Sequence, residues 1–161
     1  GSFRYDGVTS ETHEMASHLL QSNINPNNVY RNVYENKTYT QIKMLSTLID
    51  NLSFSEDKKV GYAIITQKMF DESEAVYEDA EGFSDFIRAI DGIEVSFTLI
   101  EKNDGMKISF RSRGVYTVND IAQIFGGGGH YFASGCEIKK NETDESINII
   151  LEKLKGKFNG N

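Results

Sequence analysis

The chain has 161 residues, 39% of them apolar, a net charge of −7 and a single cysteine. That length suits one domain, or one domain plus a piece of another, and it suffices for a core without staples. No apolar run reaches the ~20 residues of a membrane span, one cysteine excludes an internal disulfide or a cysteine zinc site, and the acidic balance argues against tracking long duplex DNA. A short anionic ligand held by two or three arginines stays compatible with that charge. No signal peptide opens the chain. It begins Gly1-Ser2 without an initiator methionine, which reads as a fragment or a processed product, and the lone Cys136 fits a reducing cytoplasm.

Residues 9–22 read as a helix with Thr9 or Ser10 as its cap and Met15 and Leu19 at i, i+4 spacing. Asn25-Pro26 reads as the cap and first position of a second helix. That helix places Val29, Tyr30, Val33 and Tyr34 on one face. Residues 40–52 form a third, with Ile42, Leu45, Ile49 and Leu52 at helical period. After a polar turn at 55–59, residues 60–65 read as a strand and Thr66 caps a short helix. The acidic stretch 71–81 reads as a loop and 82–90 as a helix. Strands follow at 93–100 and 106–113, then a short helix at 118–125. A strand at 135–138 and a helix at 145–154 close the chain. Strands alternating with helices predict a mixed α/β sandwich.

Asp104-Gly105 between alternating runs signals a hairpin. A two-residue turn there sets Leu99 opposite Phe110 and brings Val95, Phe97 and Leu99 onto one face with Ile108 and Phe110. A one-residue slip would oppose Phe97 to Arg111. The other face then carries Ser96, Thr98, Ser109, Arg111 and Arg113, with the two arginines about 7 Å apart. Such a face is either a phosphate clamp or a solvated outer surface.

The sharpest feature is the run Phe125-Gly126-Gly127-Gly128-Gly129-His130-Tyr131-Phe132-Ala133-Ser134-Gly135. One glycine ends a helix; four in a row let a backbone approach a ligand and offer successive N–H groups as an anion nest. His130 adds a side-chain donor. The plainer alternative is a glycine-rich connection with an incidental histidine. The run has neither the ending of a P-loop nor the spacing of a dinucleotide fingerprint.

Gly-Gly-Gly-Gly-His followed by a small-residue pair and Gly resembles the signature of DHHA1 domains, in particular those of the nanoRNase/pAp-phosphatase group of the DHH phosphoesterases. Related members include cyclic-dinucleotide phosphodiesterases, RecJ-type exonucleases and exopolyphosphatase-related proteins. Gly1-Ser2-Phe3-Arg4-Tyr5 is similar to the segment that closes the catalytic half of that family. Val29-Tyr30 with Val33-Tyr34-Glu35-Asn36 looks like its linker helix, and Glu81-Gly82 and Phe110-Arg111-Ser112-Arg113 also fit.

The resemblance implies a DHHA1-like fold, a helical linker followed by a mixed sheet flanked by helices. It divides the chain into the end of a DHH half (1–22), a helical linker (23–57) and a substrate-binding domain (58–161). It implies that Arg111 grips a substrate phosphate and that Gly126, Gly127, Gly128, Gly129 and His130 cradle phosphate and the terminal nucleotide. Arg113 and Arg4 are further candidates for the same cleft. Tyr131-Phe132 departs from the basic or polar pair found in many members, and either stacks a base or packs in the core.

The family's metal-binding Asp and His motifs precede Phe-Arg-Tyr and do not occur in this chain. His13 and His18 read as surface residues, because Ser17 breaks a His-Glu-x-x-His pattern. The implied role is therefore the nucleotide-binding part of a hydrolase, with no metal or catalytic residue of its own. Two divalent ions, manganese by resemblance, would sit in a DHH half that is missing here. Implied partners are short RNA, pAp or linear or cyclic dinucleotides, together with that DHH half; a homodimer is compatible. The alternative is a non-catalytic nucleic-acid-binding module like the DHHA1 appendage of alanyl-tRNA synthetases.

Overall fold

A computed structural model describes residues 3, 5, 7–103 and 105–160. Arg4, Gly1, Ser2 and Asp104 lie outside the described residues. The chain divides into two units, the first ending at Thr38 and the second beginning at Tyr39.

The first unit holds helices α1 (Ser10–Gln21) and α2 (Pro26–Tyr34). The Asn25 side chain caps α2, accepting from the N–H groups of Asn27 at 2.9 Å and Asn28 at 3.4 Å. This satisfies donors that a helix start leaves orphaned, and Pro26 needs none. Neither helix has a buried residue. His13 and His18 are exposed, and the His13 ring stacks on Phe3 with centroids 4.4 Å apart.

The second unit is a six-stranded sheet in the order β1-β2-β3-β4-β6-β5. The strands are β1 (Leu52–Phe54), β2 (Val60–Ile65), β3 (Val95–Lys102), β4 (Gly105–Ser112), β5 (Gly128–His130) and β6 (Ala133–Lys139). Only β2 and β3 run parallel. Helices α3 (Tyr39–Asp50), α4 (Gln67–Ser73) and α5 (Phe83–Arg88) accompany one face, and α6 (Asn119–Ile124) and α7 (Thr143–Phe158) the other. Each face has its own core. Met44, Leu48, Phe70 and Ile87 pack with Ala63, Ile65 and Ile100. Ile121, Ile147, Ile150 and Leu154 pack with Val95, Phe97, Leu99, Ile108 and Phe110. The predicted helix-flanked mixed sheet is the one observed.

The hairpin differs from expectation by two residues. Lys102 pairs with Gly105 and Leu99 with Ile108, so the turn falls one position earlier and begins at Asn103, φ 52°. Asparagine tolerates this left-handed conformation. A shift of two leaves every side chain on its expected face, so Phe97 and Phe110 still meet, with ring centroids 5.8 Å apart. The acidic stretch 71–81 is more ordered than a loop. Helix α4 runs through its first part, and a 3-10 turn, Tyr77–Ala80, buries Asp79 and Ala80. The Asp79 carboxylate accepts from the Val76 N–H at 3.0 Å, a local bond that favours a turn over an open loop.

Candidate functional site

The α5-side face of the sheet has two halves. Over β2 and β3 it is closed. Ser96 and Thr98, expected on an open polar face, are fully buried beneath α5. The Ser96 hydroxyl donates to the Ser84 carbonyl at 2.6 Å. The Ser84 and Thr98 hydroxyls share a hydrogen bond of 2.9 Å, and Ser84 also donates to the Ser109 carbonyl at 3.2 Å. This is a polar helix–sheet seam in which each hydroxyl has a partner. The approach is close enough that a Cβ on Gly61 would lie 2.6 Å from Ile87.

Over β4, β6 and β5 the same face is open. Register sets its rows. Arg111 lies beside Ala133, and Ala133 beside His130; Ser109 lies beside Gly135, and Gly135 beside Gly128; Lys107 lies beside Glu137. Opposed residues in antiparallel pairs share a face, so Arg111 and His130 stand two strands apart, about 10 Å, over a floor of glycine and alanine. Two cavities lie along this face. One, about 330 Å³, is lined by residues of the α5 seam together with Tyr77, Glu81, Gly82, Asp85, Lys107 and Arg111. The other, wider and about 520 Å³, is lined by Lys107, Phe125, Cys136, Glu137 and the glycines Gly126, Gly127, Gly128 and Gly135. Lys107 belongs to both.

The glycine run is neither a simple nest nor a mobile connector. Helix α6 ends at Ile124 with Phe125 as its cap, and Gly126 follows at φ 75°. The Gly126 N–H donates to the Gln123 carbonyl and the Gly127 N–H to the Ala122 carbonyl, both at 3.0 Å. That is a Schellman cap, and it engages the first two N–H groups of the run. Gly128 and Gly129 then form the edge strand β5, a strand that composition hides. A Cβ on Gly127 would meet the Gly135 carbonyl oxygen at 2.2 Å, and one on Gly129, φ 137°, the Ala133 oxygen at 2.7 Å. A Cβ on Gly128 would meet nothing within 4 Å. Three of the glycines thus answer to backbone geometry, and Gly128 keeps the trough floor low.

The hairpin turn after His130 is Tyr131-Phe132. Their exposures of 66% and 40% remove the core reading. The turn is tied down, with the Val118 N–H donating to the Tyr131 carbonyl at 2.7 Å and the Ser112 N–H to the Phe132 carbonyl at 2.9 Å.

Arg111 is held in place. Its Nε donates to Asp85 at 3.0 Å and one terminal nitrogen to its neighbour's carbonyl, Phe110, at 2.8 Å. Asp85 also takes Arg88 at 3.2 Å. These contacts orient the guanidinium and leave its other terminal nitrogen without a hydrogen bond among the described residues. Arg113 differs: its guanidinium donates to the Ile90 carbonyl at 2.8 Å, closing the turn after α5. Arg4 lies outside the described residues. Sequence reasoning missed Asp85 and Lys107. An (i, i+3) carboxylate on a short helix and an alternating lysine on a strand carry no signal until the sheet register is known. Cys136 borders the wider cavity but belongs to the other core. It packs on the opposite face, where burial pushes its thiol up to about 11.

Residues 57–159 match the DHHA1 domain, and the chain belongs to that family. It is 26% identical over 96% of its length to the bifunctional oligoribonuclease and PAP phosphatase NrnA of Thermus thermophilus, and 26% identical to that of Bacillus subtilis over the same share. It spans 46% and 48% of those two proteins, about half their length. A crystal structure of an exopolyphosphatase-related protein from Bacteroides fragilis superposes with a TM-score of 0.87 at 28% identity. The match covers 95% of this chain and 46% of that one. No helix among the described residues is long and apolar enough to cross a membrane.

Proposed function

We propose that this chain is the substrate-holding part of a DHH phosphoesterase acting on short RNA, pAp or dinucleotides. The observation that carries the reading is the cross-strand row in which Arg111 and His130 flank a floor of small residues. An oriented guanidinium offers a phosphate a charge-assisted hydrogen bond. The low floor at Gly128 and Gly135 lets a sugar–phosphate backbone lie close to the sheet, and His130 supplies a second donor. Among the described residues no three His, Cys, Asp or Glu side chains converge on a metal position. The part assigned to this chain is to bind and orient substrate. The two divalent ions implied by the resemblance would sit in the missing DHH half, of which residues 1–22 form the end, with residues 23–57 as linker.

Replacing Arg111 with Ala tests this. Nucleotide binding, measured by calorimetry with pAp, is expected to weaken by about 1.5–3 kcal/mol. The melting temperature should change little, because the Arg111–Asp85 pair is 34% and 46% exposed and such pairs contribute about 0–1 kcal/mol. Unaltered affinity together with a large loss of stability would make Arg111 a structural residue and overturn the proposal.

A further inference from the structure

The geometry points to Lys107 as a second phosphate-binding residue, with the cavity between it and Arg111 seating the nucleoside that joins two phosphates. This rests on the reading of Arg111 as the first. Both residues are on β4 and face the same side, four positions apart, which is about 13 Å at the strand rise. No single phosphate spans that gap. A nucleotide with a phosphate group on either side of one nucleoside does so once the flexible lysine stem leans inward.

The state of the lysine supports this. Lys107 is half-buried and has no ion pair among the described residues, although Glu137 lies directly across the ladder on the same face. Among the described residues, five lysines of this unit have a carboxylate within 4 Å, Lys43, Lys68, Lys139, Lys140 and Lys157, while Lys102 lies, like Lys107, over the Tyr77 ring. The Lys107 ammonium instead lies 5.6 Å over the Tyr77 ring, a contact that holds a cation without neutralising it. A half-buried, unneutralised ammonium at the junction of two cavities is a position suited to an anion.

The space between the two cations fits a nucleoside. Its volume, about 330 Å³, lies at the lower end for ligand pockets. The Ser84 and Thr98 hydroxyls bond each other, which leaves Ser109, Tyr77, Glu81 and the Arg111 partner Asp85 as the other polar residues of the lining. That mixture of donors and acceptors suits sugar hydroxyls and base edges better than a bare phosphate.

The test is an NMR titration of the isotopically labelled chain with adenosine 5′-monophosphate and adenosine 3′,5′-bisphosphate, in wild type, Lys107→Met, Lys107→Arg and Arg111→Ala. Lys107→Met is expected to weaken the bisphosphate by about tenfold or more and the monophosphate by less than about twofold. Lys107→Arg should retain the preference, and wild-type-like spectra of the free variants check the fold. Equal weakening of both ligands by Lys107→Met, or no weakening of either, overturns the inference. If Arg111→Ala still weakens both ligands in that case, the proposed function stands and only the second subsite falls. If Arg111→Ala changes neither, the reading of the whole face falls with it.

Discussion

The two halves of one sheet face begin from similar chemistry and end differently. Over β2 and β3, hydroxyls at Ser96 and Thr98 meet a helix whose Ser84 satisfies them, and the result is buried and matched. Over β4, β6 and β5, the face continues in the same register with Ser109, Gly135 and Gly128, then Arg111 and His130, and α5 reaches its β4 edge through Ser84 and Asp85. A polar sheet face is thus no sign of a site by itself. The open half differs by carrying a guanidinium and an imidazole at the two ends of a row with only Ala133 between them. The closed half is polar because the helix needs partners; the open half is polar and flat.

Substitutions within the glycine run break this comparison most sharply. Gly127→Ala drives a Cβ to 2.2 Å from a backbone oxygen and 2.5 Å from the Cys136 Cβ. Backbone does not yield cheaply, so a stability loss of about 3 kcal/mol or more is expected in denaturant unfolding. Gly128→Ala, one residue on, meets open space at an ordinary φ and should change stability by no more than about 0.5 kcal/mol, while raising the trough floor and weakening nucleotide binding. Equal losses of stability in the two variants would show that β5 is not the edge strand described here.

Ser84→Ala probes the closed half. It leaves the Thr98 hydroxyl buried without its partner and frees the Ser109 carbonyl. The expected cost is about 1–3 kcal/mol, with the affinity of the folded protein changed less than by Arg111→Ala, because the Ser84 hydroxyl, although it borders the cavity, is engaged by Thr98 and Ser109. A loss of affinity at unchanged stability would mean that the seam belongs to the binding surface, and the division into two halves would fail.

Much of the fold was legible in the sequence because its periods are strong. The alternation in β3 and β4 fixed which side chains share a face even though the turn was placed one residue late, since a slip of two preserves faces. Asn25-Pro26 marked its helix start through a cap that depends on neighbouring residues alone. Two strands were not legible. In Leu52–Phe54 only Leu52 was assigned, to the end of the third helix, and Gly128–His130 has a composition that disfavours strands; its pairing with β6 is a tertiary fact. Within the site, Arg111, the glycines and His130 stood out by type and spacing. Asp85 and Lys107 did not, because what singles them out is whom they meet across the fold: Asp85 a guanidinium from β4, Lys107 an aromatic ring in place of an available glutamate.

The smallest expected effect concerns the tie between the halves. Glu101, at the end of β3, accepts from the Gln67 N–H at the start of α4 at 3.0 Å and from Lys140, just beyond β6. One carboxylate thus joins the covered side to the end of the open side. The Lys140 hydrogen bond, then the Gln67 N–H, hold its carboxyl below the ordinary 4.5. A carboxylate whose folded value is depressed contributes stability that is complete above its unfolded value and lost as pH falls through the folded one. Wild type should therefore lose this contribution progressively below about pH 4.5, and Glu101→Gln, which cannot ionise, should lack that component of its acid sensitivity. At pH 7 the variant should be less stable by no more than about 1 kcal/mol, because Lys140 is largely exposed and water screens the pair. Urea melts of both proteins from pH 3 to pH 7 measure the difference. A gap between the curves that stays constant through the acid range would show that Glu101 acts by shape and not by charge, and that the two halves are held together by the sheet alone.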